Sequence, residues 1–225
     1  MKSINEFWGK FPSHIGYLEQ CVKLGHNEEF KLRYNVINEE VKKLHPALQV
    51  EFSIEMLEAK VDAIIVTSKE KGEGRKAAIK IAENCPANLK SMVTPYRLPA
   101  LGWELEVTDN WMLDLCRQYG MPSIAGETSD CLVNAKCAIK KNPSNEKLLI
   151  QFSFKNKREL KAIDEELVFL MFDLLLGEQI IAEAIDSLSI NTQKDMMARK
   201  GDWVITDGLG FRDEILKAYG HNIED

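Results

Sequence analysis

The sequence contains no C-x-x-C pair, and its cysteines are an odd number scattered along the chain. A secreted domain that depends on disulfides carries an even and closely spaced set, so this pattern excludes a disulfide framework. We expect the thiols to be small core side chains in a protein of the reducing cytoplasm. The cysteines are Cys21, Cys85, Cys116, Cys131 and Cys137.

Histidine is equally scarce, and its pattern does not match a metal site. The four histidines share no ligand spacing with one another or with cysteine or acidic clusters. The sequence has no G-x-S-x-G motif, and neither Cys116 nor Cys131 lies in a local nucleophile motif. We therefore predict no metal site and no catalytic residue, which favours a protein that is not an enzyme.

One glycine motif lies between a predicted strand and a predicted helix. Gly72, Gly74 and Ala77 match G-x-G-x-x-G/A, a pattern typical of dinucleotide-binding turns. However, Glu73 would stand where the pyrophosphate approaches, and no acid follows near residue 94 to hold a ribose. The motif favours a polar loop before a helix, and we predict no cofactor.

Long apolar runs are absent as well. The longest, Leu167 to Leu176, is about half of a membrane span and contains Asp173. Near the N-terminus, Glu6 and Lys10 interrupt the apolar stretch that an export signal requires. We expect neither membrane association nor export.

Negative charge is present and is concentrated in one segment. Residues 159–186 contain eight acids and one base, Lys161, so the segment has a net charge of −7, whereas the whole chain has −6. This distribution argues against nucleic acid as a partner and is compatible with a basic protein surface. The alternative is a solvated face that keeps the protein soluble.

Hydrophobic periodicity predicts an α+β fold. The chain opens with two helices, over about residues 3–24 and 28–44. The order strand, strand, helix, strand then appears between residues 48 and 97 and again between 131 and 190, which indicates two β-β-α-β units that form an antiparallel or mixed sheet covered by helices. We expect domains at 1–108 and 109–225, packed as one globular body.

The acidic segment contains a predicted long helix, Arg158 to Leu176. Glu159, Glu166 and Asp173 recur every seven residues and would form one outward stripe, with the apolar residues on the opposite face. Asp173 is then a surface residue rather than a buried catalytic acid. With Phe169 and Glu178, the stripe is the predicted interaction surface, since a partner needs apolar area as well as charge.

The junction of the two predicted units supplies an alternative site. Pockets commonly form where such units meet, and Tyr96, Arg97 and Trp103 would be the residues that line a cleft there. Trp103 follows a glycine-containing turn, where it would cover the core or anchor a partner.

Three short motifs resemble those of a family of uncharacterised bacterial proteins of comparable length. They are Phe7-Trp8, LHPALQVEF at residues 44–52, and MFDLLLGE at residues 171–178. The resemblance covers most of the chain but departs from the family pattern around residues 68–90. The family has no established activity, so the resemblance implies a bacterial cytoplasmic protein and no catalytic residues.

Two hypotheses of function follow from these observations. The first is a non-catalytic interaction protein, of the toxin-immunity kind, whose acidic helical surface neutralises a basic partner. The second is a small enzyme or ligand-binding protein with a cleft between the two units. The localised charge and the lack of a catalytic motif favour the first.

Overall fold

The computed structural model describes residues 2–55, 58–68, 72–197 and 202–220. Lys69 to Lys71, which precede the glycine motif, lie outside these ranges. The chain divides into two units, Met1–Arg97 (unit 1) and Leu98–Asp225 (unit 2). The division therefore lies between Arg97 and Leu98, whereas the sequence-based boundary follows residue 108.

Unit 1 begins with two helices that precede a three-stranded sheet. Pro12 lies inside the first helix without interrupting it, although a proline inside a helix commonly kinks or breaks it. The buried aromatic rings of Phe7, Trp8 and Phe11 hold this helix on the core. The elements are α1 (Lys2–Leu24), α2 (Asn27–Lys42), β1 (Leu48–Glu55), β2 (Lys60–Ser68), α3 (Glu73–Glu83) and β3 (Val93–Thr94).

The sheet of unit 1 has the predicted β-β-α-β connectivity. Its strand order is β1-β2-β3, with β1 and β2 antiparallel and β2 and β3 parallel. One face of β1 and β2 buries Leu48, Val50, Ile64 and Val66, in agreement with the period-two pattern. The helix α3 crosses between β2 and β3, because two parallel strands require such a connection.

Unit 2 repeats this plan and adds elements at its C-terminal end. Its sheet has the order β6-β5-β4-β7, with β4 and β5 antiparallel, β5 and β6 parallel, and β7 antiparallel to β4. The α+β prediction is thus confirmed. The elements are α4 (Asp109–Tyr119), α5 (Ala125–Val133), β4 (Lys136–Lys141), β5 (Leu148–Phe154), α6 (Lys157–Ala162), α7 (Glu165–Ala184), β6 (Ile185–Thr192), α8 (Gln193–Met197), β7 (Val204–Asp207) and α9 (Phe211–Tyr219).

The predicted single helix from Arg158 to Leu176 is wrong. The helix breaks at Ile163, whose backbone is extended (φ −93°, ψ 130°) and whose side chain is buried. Asp164 then caps α7, because its carboxylate accepts a hydrogen bond from the Glu166 backbone N–H at 2.9 Å. The break separates Glu159, on α6, from the acids of α7.

The predicted helix ended at Leu176, but α7 continues beyond it and is kinked at Gly177. The backbone angles of Gly177, φ 76° and ψ 160°, fall in a region that only glycine adopts readily, and helical structure resumes after it as far as Ala184. The next strand consequently begins at Ile185.

The core of unit 2 is built around aromatic side chains between the sheet and its helices. Phe152 of β5 meets Phe172 of α7 and Phe211 of α9 edge to face, and the last two rings are stacked 4.4 Å apart.

None of the helices in the described ranges has the length and apolarity that crossing a bilayer requires.

Candidate functional site

A groove runs along unit 2 between the α4–α5 connection and the α6–α7 corner. It consists of two adjoining cavities, of about 570 and 250 Å³, which share Ile124, Thr128 and Ala162. We call it the α5–α7 groove. Its lining residues are Tyr119, Gly120, Met121, Ile124, Glu127, Thr128, Cys131, Asn156, Arg158, Glu159, Ala162, Ile163, Asp164, Glu166, Leu167 and Leu170.

One wall of the groove is the turn that joins α4 to α5. Gly120 ends α4, and a short 3-10 turn over Pro122–Ile124 leads into α5. A Cβ atom at Gly120 would lie 2.8 Å from the carbonyl oxygen of Cys116 and 3.5 Å from the side chain of Leu167. A side chain at this position would therefore clash with the last turn of α4, whereas its contact with Leu167 of α7 would be an ordinary one.

The opposite wall is the α6–α7 corner, which two capping residues hold in place. Asn156 accepts hydrogen bonds from the backbone N–H groups of Arg158 and Glu159, at 2.9 and 3.1 Å. The Glu159 carboxylate in turn accepts from the Lys155 N–H at 3.0 Å. These bonds fix the position of Glu159, as the cap on α7 fixes that of Asp164.

Large apolar side chains are exposed in and beside the groove. Tyr119 and Met121, on the turn, are 50% and 63% exposed. Phe169 is 49% exposed on the outer side of α7, one turn after Glu166. Leu167 and Leu170 supply the apolar floor from α7. The groove thus combines exposed apolar area with carboxylates.

The charge of the chain is distributed unequally between the units. Unit 2 contains 22 acidic and 14 basic residues, a net charge of −8, and unit 1 contains 13 acidic and 15 basic residues, a net charge of +2. Many acids of unit 1 form ion pairs, such as Glu28 with Lys31 and Glu73 with Lys76. On the groove rim, Glu127 and Glu166 form no ion pair with any described residue and face solvent.

Two polar side chains lie at the centre of the groove. Thr128 is buried, lines both cavities, and its hydroxyl forms no hydrogen bond within the described ranges. Burial raises the pKa of the Cys131 thiol, and the carboxylates of Glu159, Asp130 and Glu127 raise it further. The thiol is therefore neutral at pH 7 and is not an activated nucleophile.

The other cysteine considered as a nucleophile lies in the core. Burial raises the pKa of Cys116 to about 11, so its thiolate is scarce at neutral pH. All five cysteines are free thiols.

The predicted interaction surface is divided between the groove and the rest of α7. Glu159 and Glu166 both line the groove, on different helices, and Phe169 is exposed beside it. Asp173 and Glu178 are partly exposed further along α7 and are not among the lining residues. The single stripe is wrong because the helix breaks at Ile163, but the role of these residues in interaction stays a prediction.

The residues predicted to line a cleft belong to different units. In unit 1, Arg97 forms a bidentate ion pair with Glu51, with N···O distances of 2.8 and 2.7 Å, and the Tyr96 ring lies 5.0 Å from the Arg75 guanidinium. In unit 2, the partly buried Trp103 packs on the core. Each of these side chains has a local structural role, and the cleft stays a prediction.

Several groove residues were not identified from the sequence. Tyr119, Met121 and Thr128 carry no motif, and only the glycine and proline of the connection marked it as a loop. Asp164 had a recognisable signal, because Asp164-Glu165-Glu166 before an apolar run is typical of a helix start.

Within the described ranges, no cluster of three or more histidine, cysteine, aspartate or glutamate side chains is arranged to hold a metal ion. Comparison with protein-family models, with curated proteins and with solved structures gives no match for this chain. The resemblance to a family of uncharacterised bacterial proteins accordingly stays a prediction.

Proposed function

We propose that this chain is a non-catalytic protein-interaction module that binds a basic protein through the acidic surface of unit 2. The observation that carries the proposal is the α5–α7 groove, where Glu127 and Glu166 form no ion pair with any residue that the structure describes and stand beside the exposed side chains of Tyr119 and Met121. A charged surface without exposed apolar side chains, or an apolar surface without charge, would support an interaction with a basic protein less well.

The carboxylates and the exposed apolar side chains would contribute to binding in different ways. Carboxylates that no internal cation neutralises attract a basic surface and accelerate its association. Exposed apolar side chains supply the area whose burial slows dissociation. This is the arrangement expected of a toxin-immunity kind of protein, in which an acidic surface neutralises a basic partner. We infer a reducing cytoplasm as the compartment from the free thiols.

The experiment is affinity capture with the immobilised full chain and a charge-reversed variant. Wild-type protein is expected to retain a partner with a basic surface, and the affinity measured with the purified partner is expected to fall as salt rises. The double variant Glu127→Lys/Glu166→Lys is expected to bind the same partner about tenfold or more weakly, because it replaces two attractions by two repulsions.

A matched variant separates the groove from the total charge. Glu29→Lys/Glu83→Lys changes the net charge of the chain by the same amount on exposed residues of unit 1, and we expect it to retain the partner. Equal losses in the two double variants, or an affinity that does not depend on ionic strength, would contradict the proposal.

A further inference from the structure

The two cavities of the α5–α7 groove differ in chemistry. The larger one, of about 570 Å³, is lined by Tyr119, Met121, Leu167 and Leu170 together with Glu166. Its size is within the range of about 300–1,000 Å³ that ligand pockets have. The smaller one, of about 250 Å³, is below that range and has room for the end of one side chain.

The larger cavity is suited to an apolar side chain. Leu167 is buried and Leu170 is partly buried, so the floor is already desolvated, while Tyr119 and Met121 remain exposed at its edge. An apolar group that enters it would bury the exposed faces of both side chains. Methionine adapts its shape to different occupants, which helps such a contact form.

The smaller cavity is suited to a cation. The carboxylates of Glu127 and Glu159 line it, against the single guanidinium of Arg158 among its lining residues. Burial is the main cause that raises the pKa of the Cys131 thiol at the same cavity, and the carboxylates of Glu159, Asp130 and Glu127 raise it further. The acidic residues that line the cavity outnumber its basic lining residue, Arg158.

Thr128 connects the two cavities. It is 7% exposed and lines both of them, and its hydroxyl has no hydrogen-bond partner within the described ranges. The residue is buried as a whole, but its hydroxyl oxygen is open to the cavities. A ligand that passes between the cavities would meet this group.

We propose that the α5–α7 groove binds a short segment of the partner protein that places an apolar side chain in the larger cavity and a lysine or arginine in the smaller one. The inference rests on the proposed function and adds the kind of sequence that is recognised. The long alkyl stem of a basic side chain crosses the apolar rim, and its charged end meets Glu127 and Glu159.

The test uses a fluorescein-labelled amphipathic peptide of leucine and lysine, about four helical turns long, and the full chain. Fluorescence anisotropy measures its affinity. We expect the variants Met121→Gln and Glu127→Gln each to weaken binding by roughly threefold to tenfold. The matched variants Leu105→Gln and Glu106→Gln, exposed residues of unit 2 that do not line the groove, are expected to change it by less than about twofold.

Two modified peptides test which side chain of the peptide occupies each cavity. When the leucines are replaced by alanine, Met121→Gln is expected to have no further effect. When the lysines are replaced by glutamine, Glu127→Gln is expected to have no further effect on binding. If both groove variants behave like their matched controls, the peptide does not bind in the groove and this inference falls, while the proposed function is decided separately by the affinity of the purified partner for Glu127→Lys/Glu166→Lys. If a peptide with glutamate for lysine binds equally well, both fall.

Discussion

The side-chain amide of Asn38, on α2, bonds both main-chain groups of Val50, on β1. Its oxygen accepts from the Val50 N–H at 2.8 Å, and its nitrogen donates to the Val50 carbonyl at 3.2 Å. β1 is at one edge of its sheet, and a strand edge has main-chain groups that require partners. Asn38 therefore acts there as a short substitute for a neighbouring strand.

Replacing Asn38 is expected to destabilise the protein. Asn38→Leu leaves the buried N–H and carbonyl of Val50 unsatisfied, and we expect a loss of about 2–3 kcal/mol in the free energy of unfolding. The matched change Asn35→Leu, at an exposed position of the same helix, is expected to stay within about 0.5 kcal/mol. Urea unfolding of both variants measures the difference, and similar losses would rule out the role of the amide.

The carboxylate of Glu40 is expected to make a pH-dependent contribution to stability. Partial burial raises the pKa of Glu40, but hydrogen bonds from Lys10 and His14 outweigh this effect and hold the pKa below its usual value of 4.5. A carboxyl with a depressed pKa stabilises the fold above its unfolded pKa, and this contribution is lost as the pH falls through the folded pKa.

We therefore expect Glu40→Gln to lower the urea midpoint at pH 7 and to have a smaller effect near pH 3, since the stabilisation by the charged carboxylate is lost as the pH falls below 4.5 and through the lower folded pKa. The loss at pH 7 should be about 1 kcal/mol or less, as is typical of ion pairs with an exposed member. Glu39→Gln, which removes the exposed pair with Lys42, is the control. A deficit in Glu40→Gln that is as large at pH 3 as at pH 7 would show that the charge is not responsible.

The fold could be predicted from the sequence where burial follows a simple period. Leu48, Val50 and Phe52 alternate with polar residues because β1 has one face on the core, and this pattern revealed both β-β-α-β units. The break at Ile163 was missed because a buried isoleucine fits the helical spacing as well as it fits the corner. The signal that distinguishes the two is the helix start at Asp164-Glu165-Glu166, where the Asp164 carboxylate makes the capping bond.

The candidate site was predicted only in part, for a related reason. Glu159 and Glu166 were identified from the local excess of acids and from their seven-residue spacing, both of which can be read from the sequence. The exposure of Tyr119 and Met121 depends instead on how the α4–α5 connection packs against α7, and that packing cannot be read from a single sequence. A pattern of charged residues is visible in the sequence, whereas the shape of a groove depends on the tertiary structure.

Gly120, in the wall of the groove, and Gly126, in helix α5, form a matched pair of positions for substitution. Gly120→Ala would bring a methyl group to 2.8 Å from the Cys116 carbonyl, so we expect a loss of about 1–3 kcal/mol and a weaker affinity for the leucine–lysine peptide. Gly126, in the first turn of α5, has open space around its Cα, and Gly126→Ala should be neutral or stabilise by up to about 1 kcal/mol. Thermal unfolding distinguishes them, and equal melting temperatures would refute the packing argument.

Arg212, on α9, is a buried cation that bonds the loop before α4. The residue is 1% exposed, and its guanidinium donates hydrogen bonds to the carbonyl oxygens of Gly102 and Leu105 and, through Nε, to the Asp213 carboxylate at 3.0 Å. The guanidinium thus ties the loop before α4 to α9. A lysine presents a single point charge in place of this planar fork and cannot reach all three acceptors.

We expect Arg212→Lys to lower the free energy of unfolding by about 3 kcal/mol, because a buried cation loses part of its bonding. Residues 102–105 should also become more sensitive to limited proteolysis, since their carbonyl groups lose the donor that holds them. The control is Arg117→Lys, whose exposed pair with Asp114 should contribute less than about 1 kcal/mol. If Arg212→Lys unfolds at the same denaturant concentration as Arg117→Lys and its loop resists the protease equally, the guanidinium is not what fixes this loop.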